Sequence, residues 1–234
     1  MEHKRLTLFA GHYGSGKTNI AVNYALHLAK EGKDVCIADL DIVNPYFRTK
    51  DSADILEKAG VHLISPTFAN TNVDLPALPA EAYRLVTDKR IHGIMDIGGD
   101  DRGAYALGRY VPAMKEEGNY RMAFVANCYR PLTRTPEEAM EVMREIEAAC
   151  GLKFTHIVNN SNLASETTAD TVLDSVSYVE ALCRLSGLPL WLTTAEKTVA
   201  AELAGRIPNI LPLTLQEKYF DLPTQKPGNR PLWG

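Results

Sequence analysis

The chain has 234 residues, of which 45% are apolar and 23% charged, with a formal net charge of −4. This suits one globular α/β domain with a sizeable core, and argues against a general basic footprint for nucleic acid. The sequence has no apolar run near the roughly 20 residues a membrane span needs, no C-x-x-C pair and no H-x-x-x-H spacing, so a membrane partner, an iron–sulfur cluster and a structural zinc within the chain are not expected.

The N-terminal "MEHKRLTLF" enters a strand-like run at once, without the features of a signal peptide, and a cytoplasmic protein is the expectation. The first strand is predicted over Leu6–Ala10. A glycine-rich turn follows, then a helix over Lys17–Glu31 with Ile20, Tyr24 and Leu28 on one face. Further strands are predicted at Val35–Asp39, Val61–Ser65, Ile91–Ile97, Arg121–Asn127, Phe154–Asn159 and Leu188–Leu192, with helical patterns between them. Thr135, Pro136 and Glu138 form a capping box, an apolar face runs from Ala139 to Cys150, and Gly151 supplies the stop. Thr193 and Glu196 are read as a second capping box before "AEKTVAAELAG". This alternation predicts a three-layer α/β/α fold with a mostly parallel sheet of about seven strands. One domain spans residues 1–220, and the Pro- and Gly-rich residues 221–234 form an irregular tail. Cys36, Cys128, Cys150 and Cys183 read mainly as small buried thiols.

The turn after the first strand fits G-x-x-x-x-G-K-[ST] from Gly11 to Thr18. Gly14 and Gly16 let the backbone curl so that successive N–H groups point inward and meet phosphate oxygens at the positive end of the helix. The Lys17 ammonium can reach the β- and γ-phosphates, and the Thr18 hydroxyl can ligate Mg²⁺. Gly11, Gly14, Ser15, Gly16, Lys17, Thr18 and Asn19 are therefore the candidate nucleotide-binding residues, and the implied ligand is a nucleoside di- or triphosphate with magnesium.

Turnover needs groups that hold the metal and orient a nucleophile, and in open α/β sheets these sit at the carboxyl ends of strands. In "VCIADLDIVNPYFR", Asp41 is the candidate water-positioning or metal-shell group, with Asn44, Tyr46 and Arg48 following. In "IHGIMDIGGDDRG", Asp96 interrupts an apolar run, which is costly unless it is paired or near a metal. Asp96 is thus the candidate Mg²⁺ carboxylate. D-x-x-G places Gly99 where its N–H could meet the γ-phosphate, while Asp100 and Asp101 read as helix caps.

These three elements, in this order and spacing, resemble the MinD/ParA/CobQ-type (SIMIBI-type) branch of P-loop NTPases, which includes nitrogenase iron protein, Mrp-type and dethiobiotin-synthetase-like enzymes. The similarity covers Leu6 to about Ala204. It implies that Asp41 assists hydrolysis together with Lys17, that Thr18, Asp41 and Asp96 surround Mg²⁺, and that Asn159 or Asn160, with Asn160 the choice, contacts adenine at the end of the strand in "FTHIVNNSNLASETT". His12 stands where MinD and ParA proteins carry an additional lysine, so a lysine-swapped dimer is not implied and a homodimer stays open. No N-K-x-D follows Asn127, Asn159 or Asn160, which favours ATP over GTP.

Three functions follow from this reading. The first is an ATPase switch read by an unidentified protein partner, by analogy a metalloenzyme or cofactor-assembly protein. The second is an ATP-dependent kinase or ligase for a small-molecule substrate, with a second pocket near "SPTFANTN". The third is a nucleotide-binding module without turnover, against which the set Lys17, Thr18, Asp41 and Asp96 argues.

Overall fold

The computed structural model describes residues 3–40, 52–64, 80–98 and 107–215. Asp41, Asn44, Tyr46, Arg48, "SPTFANTN", Gly99, Asp100, Asp101 and the tail lie outside the described residues.

Among the described residues, eight strands form one parallel sheet. They are β1 (Leu6–Ala10), β2 (Val35–Leu40), β3 (His62–Ile64), β4 (His92–Ile97), β5 (Tyr120–Ala126), β6 (His156–Asn159), β7 (Leu190–Glu196) and β8 (Ile210–Leu213). Their order across the sheet is β3-β2-β4-β1-β5-β6-β7-β8. The α-helices among the described residues are α1 (Lys17–Lys30), α2 (Ala53–Lys58), α3 (Arg84–Thr87), α4 (Val111–Glu117), α5 (Pro136–Cys150), α6 (Ala169–Asp174), α7 (Val176–Ser186) and α8 (Lys197–Glu202).

Every residue of β1 and β2 is buried, as expected for strands covered on both faces. On one face Phe9, Ile37, Ile94, Val125 and Val158 pack with Ile20, Tyr24 and Leu28 of α1. On the other, Leu8, Ala38, Met95 and Phe124 pack with α5 and α7 through Ala139, Met143, Val179 and Leu182. This gives the expected three layers. The α5 capping box forms as read, with Thr135 accepting from the Glu138 N–H and Gly151 left-handed at the C-cap.

Two expectations are corrected. β7 does not stop at Leu192: Thr193 and Thr194 pair with Ile210 and Leu211 of β8, an eighth strand that the sequence pattern did not reveal. Two β-branched residues beside an available strand edge favour the ladder over a cap. The cap of α8 is Glu196 itself, which accepts from the Thr198 N–H at 2.8 Å. β8 escapes sequence reading because "ILPL" is short and carries Pro212, which is tolerated at a sheet edge.

At the amino-terminal side of the sheet, Arg5 and Glu117 form a bidentate pair, and both are largely buried. Arg5 also donates to the carbonyls of Leu85 at 2.7 Å and of Asp88 and Ile91 at 3.3 Å. One guanidinium thereby ties β1 to α3, α4 and the turn before β4. Hydrogen bonding from Arg5, and then from Lys89, holds the Glu117 carboxyl below its ordinary pKa.

Candidate functional site

The chain leaves β1 toward β2 on one side and β5 toward β6 on the other. This divergence opens a crevice at the carboxyl ends of the central strands, where open α/β sheets bind ligands. The Gly11–Thr18 loop sits there.

Two glycines in the loop are sterically required. A Cβ on Gly11 would lie 2.6 Å from the Val125 carbonyl oxygen, so only glycine lets β1 turn this close to β5. Gly16 has φ of 90° at the N-cap of α1, and a Cβ there would lie 2.3 Å from Asn160 Nδ2. The N–H of Ser15 donates to the His12 carbonyl at 3.1 Å and closes the turn. Lys17 is 4% exposed, and its ammonium donates to the same carbonyl at 3.2 Å, which holds the side chain over the loop. Thr18 lies buried in the first turn of α1, with Asn19 beside it at the mouth of a cleft.

The carboxylates gather at the next two strands. Asp96 pairs in register with Phe9 on one side and Asp39 on the other. Ile37 and Ile94 face α1, and the two-residue strand period puts Asp39 and Asp96 on that same face. Both are buried, at 2% and 0% exposed. Asp39 and Asp96 thus bring two carboxylates side by side on the α1 face of the sheet, the donor class a hard cation such as Mg²⁺ takes. The sequence pointed to Asp41, whereas the described residues add Asp39. Its position two residues before Asp41 shared the same strand parity, and that was the available signal.

Asn160 is placed under the loop, and both ends of its amide are engaged there. Nδ2 donates to the Ser15 carbonyl and Oδ1 accepts from the Thr194 hydroxyl, each at 2.6 Å. The residue is 4% exposed. It fastens the Gly11–Thr18 loop to β7 and also lines the cleft with Asn19. Neighbouring turns are fastened in the same way. Asn127 Oδ1 accepts from the N–H groups of Tyr129 and Asn162, and the Cys128 N–H donates to the Ser161 hydroxyl. The cleft continues past Asn162 to Ala195, Glu196, Leu213 and Leu215, so its lining combines amides with apolar side chains. Ala164, on its rim, has φ of 55°, a left-handed conformation uncommon for a residue with a side chain.

Sequence reasoning missed Arg130. Its guanidinium carbon would lie 3.7 Å from a Cβ on Gly14, and its Nε is buried without a hydrogen-bond partner among the described residues. The turn that carries it is fixed by the Arg130 N–H donating to the Asn127 carbonyl at 3.1 Å. Only the adjacency of β5 and β1, which is a tertiary fact, brings Arg130 to the loop.

No protein-family model and no curated protein matches the chain. Solved structures do. The cell division protein FtsY of Thermotoga maritima aligns with a TM-score of 0.58 at 18% identity, over 83% of this chain and 62% of that one. Chloroplast FtsY of Physcomitrella patens aligns with a TM-score of 0.52 at 16% identity, over 82% of this chain and 59% of that one. This chain therefore spans under two thirds of the length of either. At such identity the likeness establishes the fold alone, a three-layer α/β/α P-loop fold, and does not single out the MinD/ParA/CobQ branch.

Proposed function

We propose that this chain binds the magnesium complex of a nucleoside triphosphate, ATP in preference to GTP, and hydrolyses it slowly as a switch read by a protein partner. The observation that carries this reading is the loop itself. Gly11 and Gly16 occupy positions no other residue fits, the loop opens onto the N-terminus of a 14-residue helix, and a lysine is folded over it. The triphosphate tail lies along this loop, with Lys17 and Arg130 as its cations. Thr18 and Asp96, with Asp39 beside them, would hold magnesium, which supplies charge neutralisation at the β- and γ-phosphates. The purine takes the cleft between Asn162 and Leu213, whose apolar lining suits a flat ring. Asn160 serves that site as a brace for the loop. The preference for ATP rests on the missing N-K-x-D after Asn127, Asn159 and Asn160. The switch role rests on the resemblance at Asp41 and Asp96, and Asp41 orients the attacking water.

The test is steady-state phosphate release with Mg²⁺ and either nucleotide. Slow release from ATP should be abolished in Lys17→Ala. In Asp41→Ala it should fall while ATP binding persists. Equal or faster turnover of GTP would overturn the base assignment, and ATP left intact by the wild type would overturn the hydrolase.

A further inference from the structure

A second cluster lies at the opposite end of α1, outside everything above. His3 precedes β1, while His27 and Glu31 lie four residues apart at the end of α1. The fold brings His3 Nε2 to 3.0 Å from Glu31 Oε2, and His27 Nε2 to 3.3 Å from Glu31 Oε1. One donor atom from each residue lies within 4.8 Å of the others. Ligands bound at roughly 2.0–2.2 Å around a tetrahedral or octahedral ion sit about 3–3.5 Å apart, and both contacts fall in that range.

The remaining nitrogen of His3 is also engaged: Nδ1 hydrogen-bonds the Tyr24 hydroxyl at 3.0 Å. A metal-binding histidine is usually held this way, with a partner on its other nitrogen fixing the ring and leaving Nε2 for the ion. His27 and Glu31 are partly exposed, so an ion could enter from solvent and keep water in its remaining positions.

We propose that His3, His27 and Glu31 form a binding site for a divalent first-row transition metal, with Zn²⁺ the best fit to two imidazoles and one carboxylate. The helix separates this site from the phosphate loop by about 20 Å at 1.5 Å per residue, so the ion does not touch nucleotide. It ties the segment ahead of β1 to the end of α1. The sequence concealed the site because its first ligand joins the others only when β1 enters the sheet beside the helix.

The experiment titrates the whole chain, without nucleotide, with Co²⁺ followed by visible absorption and with Zn²⁺ followed by calorimetry. Expected are one equivalent of Zn²⁺ at micromolar affinity, a Co²⁺ spectrum from nitrogen and oxygen ligands, and a Tm that rises with Zn²⁺. His27→Ala and Glu31→Gln should each weaken Zn²⁺ at least tenfold and remove the Co²⁺ bands, while Lys17→Ala leaves both unchanged. Both substituted residues are at the surface, and urea unfolding without metal checks that each variant is folded. Wild-type protein that takes up neither ion at 100 µM would overturn the proposal. So would unchanged affinity in His27→Ala and Glu31→Gln, because the cluster would then be a hydrogen-bonded ion-pair network only.

Discussion

Asn160→Ala separates two roles for one residue. Truncation removes both amide hydrogen bonds under the Gly11–Thr18 loop, each 2.6 Å long. The Thr194 hydroxyl has an alternative acceptor, the Asn159 carbonyl at 3.3 Å, so that side should lose about 0.5–1 kcal/mol. Ser15 is 1% exposed, and its carbonyl loses a bond where water enters with difficulty, at a cost of about 1–2 kcal/mol. The sum is about 1.5–3 kcal/mol of folding stability. For a chain of this size that is a fall in Tm of about 3–12 °C. Thr194→Val should cost less, and the double variant should show a coupling of about 1 kcal/mol. Urea and thermal unfolding of the four proteins without nucleotide give these values. Nucleotide titration then completes the test. A brace that sets the loop's shape weakens ATP and GTP alike. A residue that reads the base changes their ratio and leaves the stability of the free protein alone. A normal Tm together with a shifted ATP/GTP ratio would refute the bracing role.

Other consequences follow from the same geometry. Gly16→Ala, with φ of 90° and Asn160 Nδ2 at 2.3 Å from the new Cβ, should abolish nucleotide binding by calorimetry even in protein that still folds. Arg130→Ala should weaken ATP binding about tenfold, and Arg130→Lys should recover most of it, as read from fluorescent-nucleotide competition at two salt concentrations. Because the folded pKa of Glu117 is lowered, its ion pair contributes stability above the ordinary value of 4.5 and loses it as pH falls through the lowered one. The stability gap between wild type and Glu117→Gln, about 3 kcal/mol at pH 7 by urea unfolding, should therefore shrink in acid. Burial pushes the Cys36 thiol up to about 12, so a maleimide at pH 7.5 should label it only after unfolding.

The parts legible in the sequence were those written in local chemistry. The Gly11–Thr18 spacing, the buried run from Leu6 to Ala10 and the Thr135–Glu138 box each encode their own backbone geometry, and each forms as read. The parts that escaped depend on neighbours distant in the chain. Thr193 and Glu196 satisfy a capping pattern, but the edge offered by β8 turns Thr193 into a strand residue. Asp39 gains meaning only when β2 aligns with β4 and sets it beside Asp96. Arg130 reaches Gly14 because β5 pairs with β1. Asn160, read as a contact to adenine, lies under the loop. Ser15 and Thr194 engage both ends of its amide, and no local pattern records that.

The central claim is that the amides between Gly11 and Thr18, with the Lys17 ammonium, hold a polyphosphate. Calorimetric titration of ATP into the purified chain, with and without Mg²⁺, tests it most directly. One equivalent of heat-releasing uptake is expected, stronger with Mg²⁺, weaker in Thr18→Ala and lost in Lys17→Ala. Absence of uptake of both ATP and GTP at millimolar concentration by folded wild-type protein would contradict it.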